Sequence, residues 1–156
     1  MSTYAAKTQV SPEKSRAELE TILRRYGADA FAYGYEDRRA VVTFKAAGRI
    51  VRFEIDVPQA EKFRMGPGYR VRTPVQQRNA RDQAERQIWR ALVLVVKAKL
   101  EAVESGLVGF EQEFMAHIVL PSGETVGQWM EPQLAEVYET GEMPSLLPGT
   151  RKELTA

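Results

Sequence analysis

The stretch that decides the fold is Phe31-Ala-Tyr33-Gly-Tyr35, Glu36-Asp-Arg-Arg39, Ala40-Val-Val42-Thr-Phe44-Lys45, Ala46-Ala-Gly-Arg49, Ile50-Val51-Arg-Phe53-Glu-Ile55-Asp-Val57. Its apolar residues recur every second position, broken twice by short turn-forming groups. A period of two puts alternate side chains on opposite faces of a strand, so this pattern predicts three strands with one apolar face. The turns at Glu36–Arg39 and Ala46–Arg49 are too short for anything but an antiparallel meander. Pro58 ends it.

Upstream the period lengthens to that of a helix. Ser11-Pro12 reads as an N-cap followed by proline at the first helical position, and Ser15-x-x-Glu18 has the form of a capping box. Leu19, Ile22, Leu23 and Tyr26 follow at helical spacing, and Gly27 is the stop. Downstream, an arm over 59–75 precedes one long helix predicted from Gln76 to Ser105 and closed by Gly106. On that helix Arg86, Arg90, Lys97, Glu101 and Glu104 share a polar side, while Ile88, Ala91, Leu92, Val95, Val96 and Val103 lie opposite. Val93 and Leu94 intrude on the polar side. The middle of the helix is thus apolar nearly all round, which fits a central helix of the fold or one partly covered by a second subunit.

The last third is mixed. Phe110–Phe114 suggests a short helix or turn, and Ile118–Val126 a small hairpin about Pro121-Ser-Gly123. Trp129 to Tyr138 suggests another helix, with Leu134, Val137 and Tyr138 on one face. Met143-Pro-Ser-Leu-Leu-Pro148 reads as an apolar tail packed onto the body. The expected architecture is α+β: an N-terminal helix, a three-stranded antiparallel meander, a long central helix and a mixed helical and hairpin C-terminal third. Residues 1–10 are expected to form a flexible arm, 11–148 a single domain containing the basic loop 59–75, and 149–156 a flexible tail.

The chain has 156 residues and a formal net charge of +1, which hides a strong asymmetry. Between Lys62 and Arg81 stand Lys62, Arg64, Arg70, Arg72, Arg78 and Arg81, without one carboxylate; the helix then adds Arg86 and Arg90. From Leu100 to Glu153 there are ten glutamates against Arg151 and Lys152. Two readings follow. Either the acidic third neutralises the basic strip within the molecule, or the strip faces an external anion. Arginine suits bidentate phosphate contacts, and Tyr69, between Arg64 and Arg70, is placed to stack on a base. Lys62, Arg64, Tyr69, Arg70, Arg72, Arg78, Arg81, Arg86 and Arg90 are therefore the candidate nucleic-acid-binding residues. Six phosphate contacts would give a log–log salt slope near −4 to −5. Tyr33, Phe44, Phe53 and Trp89 are expected in the core.

No other chemistry stands out. There are no cysteines, so disulfides and thiol chemistry are excluded. His117 is the single histidine, too few for a zinc site, and reads as a half-buried core residue. No phosphate-binding Gly-x-x-x-x-Gly-Lys loop and no Gly-x-Ser-x-Gly elbow occurs. Glu54 and Asp56 share a strand face and, with a third acid such as Glu101, form the best arrangement for a hard cation, although alternating charges are ordinary on a wet sheet face. No catalytic residue, metal or cofactor is assigned. The start lacks the apolar core of a signal peptide, and the run Ala91–Val96 is too short to span a bilayer, so a cytoplasmic protein without a membrane partner is expected.

Several blocks carry a resemblance: Tyr4-Ala-Ala-Lys-Thr8, Arg24-Arg-Tyr-Gly27, Trp89-Arg-Ala-Leu92, Lys97-Ala-Lys-Leu-Glu-Ala-Val-Glu104, Phe114-Met-Ala-His-Ile-Val-Leu-Pro121 and the tail at 143–148. The chain resembles a family of small uncharacterised proteins of bacteriophages and prophages. The resemblance implies a mobile-element setting inside a bacterial host and assigns no role to any residue. DNA or RNA is the expected partner. The alternative is a protein-binding module, such as an inhibitor of a host defence nuclease or a subunit of a nucleoprotein complex, with self-association through the long helix; a metal-dependent nuclease comes third.

Overall fold

The three alternating stretches become β1 (Ala30–Glu36), β2 (Arg39–Ala46) and β3 (Arg49–Asp56), an antiparallel meander in the order β1-β2-β3. The computed structural model describes residues 5, 7–36 and 38–143. Register aligns Phe31 with Phe44 and Val51, Tyr33 with Val42 and Phe53, and Tyr35 with Ala40 and Ile55, so one face is apolar throughout. The turn from β2 to β3 holds Ala47 at φ 50° and Gly48 at φ 72°, as a two-residue hairpin turn requires.

Two helices cover the apolar face. α1 (Pro12–Arg25) contributes Leu19 and Leu23, and α2 (Pro74–Glu104) contributes Trp89, Leu92, Val93, Val96 and Leu100 to the same core as Val42, Phe44, Val51 and Phe53. The α+β order expected from the sequence is the order observed. A short helix α3 (Phe110–Phe114) closes one end, with Phe114 edge-on to Phe44 at 5.8 Å. Residues 118–125 then form the small hairpin, pairing Val119 with Thr125 and Ile118 with Val51 of β3. α4 (Val126–Thr140) follows, capped by Thr125, and buries no residue fully. Gly127 lets it sit close, since a Cβ there would lie 2.8 Å from the Ala116 carbonyl.

Three details depart from expectation. The buried stripe of α2 runs through Trp89, Val93, Val96 and Leu100, about a quarter turn from the predicted face. Val93 is wholly buried and Val95 is 47% exposed, the reverse of the reading above, because the large Trp89 ring sets which side faces the sheet. Ser15 is not a cap: Ser11 caps α1, accepting from the Lys14 amide, while Ser15 is fully buried and its hydroxyl has no partner among the described residues. α2 begins at Pro74, two residues before the predicted start, under a capping box of Thr73 and Gln76. The expected tail beyond Met143 and half of the N-terminal arm, residues 1–4 and 6, lie outside the described residues; the Thr8 carbonyl, within that arm, accepts a hydrogen bond from Gln83 of α2.

Leu92 is 9% exposed in the middle of this contact. Leu92→Ala is expected to cost about 2–5 kcal/mol, read as a lower midpoint in urea unfolding.

Candidate nucleic-acid interface

The arm is a structured hairpin rather than an open loop. After a 3-10 turn at Ala60–Phe63 that packs on α2, Met65 pairs with Val71. The Gly66 amide donates to the Arg70 carbonyl at 2.7 Å, and the Arg72 amide to the Arg64 carbonyl at 2.9 Å. This ladder leaves Pro67-Gly68-Tyr69 as a three-residue tip. Cross-strand partners share a face, so Arg64, Arg70 and Arg72 lie on one side of the hairpin and Met65 and Val71 on the other.

Arg72 holds the hairpin together. Its guanidinium donates to the carbonyls of Phe63 and Met65 at 3.2 and 3.1 Å, and its own carbonyl accepts from Gln77 of α2 at 2.9 Å. At the tip Gly68 (φ 69°) and Tyr69 (φ 58°) are both left-handed. Glycine adopts that region freely, whereas for an L side chain it costs about 1–2 kcal/mol. Tyr69 is nonetheless 89% exposed, so no burial of its ring offsets the strain.

The nine candidate residues therefore divide. Lys62, Arg64, Arg70 and Arg78 are exposed and form no ion pair among the described residues. Tyr69 is exposed at the tip, Arg72 is held in the hairpin, and the remaining three arginines are engaged within the molecule. Arg81 meets Asp82 and Glu85 at 3.1 and 3.2 Å, Arg86 donates to Gln83 at 3.2 Å, and Arg90 bridges to Glu18 of α1 at 2.5 Å. These partners come from α1 and from α2 itself. Among the described residues, none of the glutamates from Glu101 to Glu142 pairs with the basic strip; Glu111 and Glu113 pair with Arg49 and Lys99 instead.

An open recess of about 520 Å³ lies where the hairpin meets the first turns of α2. Gly66, Pro67, Arg70, Val71, Gln76 and Asn79 contribute to its lining. Gln76 and Asn79 were not singled out by the sequence reading. Thr73-x-x-Gln76 is itself a readable cap signal that places both amides on the helix start.

The remaining candidates are structural. Phe44 and Phe53 are buried, and Trp89 is 1% exposed. Tyr33 lies on the core face of the edge strand but is half exposed, with the Arg16 guanidinium 4.9 Å from its ring and 5.1 Å from that of Trp89. Glu54 and Asp56 do share the wet face of the sheet, where Arg39 bridges both at 3.2 and 3.1 Å. Glu101 is elsewhere, accepting from the Tyr26 hydroxyl. Among the described residues no group of three acids or histidines is placed to hold a metal. Among them too, no helix is long and apolar enough to cross a membrane.

No protein-family model matches the sequence, and neither the curated proteins nor the solved structures searched contain a match.

His117 stacks on Phe53 with ring centroids 4.0 Å apart. Burial, and after it the charge of Lys99, hold its imidazole below the ordinary value of 6.5, against the opposing effect of a hydrogen bond from the ring to the Arg52 backbone carbonyl. With the folded value depressed, the unfolded chain takes up the proton first. The histidine's contribution to stability is therefore complete above about pH 6.5 and is lost as pH falls through the folded value. Urea unfolding of the parent chain and His117→Gln from about pH 7.5 to about pH 5 should show a shallower acid-side decline in the variant; parallel declines would show that His117 is not responsible.

Proposed function

We propose that this chain is a non-enzymatic nucleic-acid-binding protein of a phage or other mobile element, acting in the cytoplasm of a bacterial host. The observation that carries this reading is the set Lys62, Arg64, Arg70 and Arg78, exposed and without an internal counter-charge among the described residues. Four such cations on the 3-10 turn, the hairpin and the adjoining helix start make a positive surface that a polyanion would neutralise. The positive end of the α2 dipole adds to the same potential. Tyr69 stands at the tip as a stacking surface, and Arg72 maintains the hairpin rather than gripping a phosphate. Arg81, Arg86 and Arg90 extend the positive field while keeping their internal partners.

A second reading has its own support. α4 exposes Trp129, Leu134 and Tyr138 beside Glu131, Glu136 and Glu139, the kind of surface that a protein-binding module presents. A partner held there would remain bound after nuclease treatment of an extract, whereas one bridged by nucleic acid would not.

The test of the leading reading is a titration with labelled DNA and RNA across a range of salt. Four phosphate contacts set the log–log slope at about −3 to −4, shallower than six would give, and Arg70→Glu should weaken binding. Binding that does not respond to salt would end this reading.

A further inference from the structure

We infer that the recess between the hairpin and α2 receives one unpaired nucleobase, and that the protein accordingly prefers single-stranded to duplex nucleic acid. This deepens the reading above and rests on it.

The recess has the chemistry of a base site. Pro67 gives it an apolar wall of the kind a flat ring lies against, and Arg70 lines it as a cation beside the attached phosphate. Two carboxamides complete the lining. Gln76 spends its amide oxygen on the Thr73 amide at 3.0 Å, which leaves its NH₂ to donate. The Asn79 side chain is exposed and makes no hydrogen bond among the described residues, so its carboxamide retains both a donor and an acceptor. Carboxamides read base edges by this pairing of donor and acceptor. At about 520 Å³ the recess is large enough for a base and open enough for its sugar and phosphate to leave along the surface.

Tyr69 supplies the second observation. It is the residue between Gly68 and the lining residue Arg70, held at φ 58° and 89% exposed. A strained, solvated aromatic at a loop tip is a poor use of a tyrosine unless a ring packs on it. In a duplex the faces of the bases are already stacked on their neighbours and their edges are withdrawn into the grooves. A single strand can splay one base into the recess and lay the next on Tyr69. Both features therefore select the same substrate.

The experiment compares the full chain's binding to a single strand and to the matched duplex at one salt concentration, using fluorescence anisotropy. The single strand is expected to bind about 10-fold more tightly or better. Tyr69→Ala should weaken single-strand binding by about 5- to 100-fold, and Asn79→Ala should also weaken it, while neither changes the salt slope. Tyr69→Phe should retain binding, because stacking needs the ring and not the hydroxyl. Duplex binding as tight as single-strand binding, or single-strand binding indifferent to Tyr69→Ala and Asn79→Ala, would overturn the base site and leave the phosphate-binding reading standing. Failure to bind either form would remove both.

Discussion

The packing of α2 on the sheet begins at Trp89, and the rest of the molecule follows from where that contact starts. Trp89, Leu92, Val93, Val96 and Leu100 bury themselves against β2, β3 and α1, while from Pro74 to Ile88 no residue of the helix is fully buried. The first half of this 31-residue helix is half-buried from Ala80 to Ile88, and exposed or half-buried before that. It serves as a rigid support for the hairpin, which packs on it through the Ala60–Phe63 turn and the Gln77–Arg72 hydrogen bond. The hydrophobic contact is what gives the cationic surface a fixed geometry. Placed on a loose loop, the same four charges would have to be ordered at the moment of binding, and that conformational entropy would oppose affinity.

Internal pairing sorts the arginines by position. Arg90, beside the core, finds Glu18 on α1, and Arg81, on the first half of α2, finds Glu85 one helical turn away. Lys62, Arg64, Arg70 and Arg78 form no ion pair among the described residues, although Glu61 adjoins Lys62 and Asp82, one turn from Arg78, pairs with Arg81. Glu111 and Glu113 lie on α3, and Glu131, Glu136 and Glu139 on α4, elements tied to β3 through the pairing of Ile118 with Val51. Among the described residues the charge segregation of the sequence is kept in the pairing, since none of these glutamates meets the basic strip.

Much of this was legible from residue patterns alone. The alternation of Val42, Phe44, Val51 and Phe53 defined both the sheet and its buried face, and Ser11-Pro12 and Gly27 bounded α1, since these signals act over a few residues. The face of α2 was not recovered, because its apolar residues surround the helix and only the size of Trp89 selects among them. The hairpin at 64–72 was missed for a related reason. Its ladder is built from backbone groups of Gly66, Arg70 and Arg72, which leave no alternation of polarity to read. Neither the staple role of Arg72 nor the pairing of Arg90 with Glu18 has a local signature. Both depend on chain segments brought together by folding, so composition identified the cationic strip without showing which of its members are free.

The availability of those guanidinium groups is best measured by arginine-selective modification with phenylglyoxal, followed residue by residue by mass spectrometry. Arg64, Arg70 and Arg78 should react fast, Arg72 and Arg90 slowly, and added oligonucleotide should protect the fast set. Equal reactivity across all five, or a fast set that nucleic acid leaves unprotected, would contradict a surface held open for an external anion.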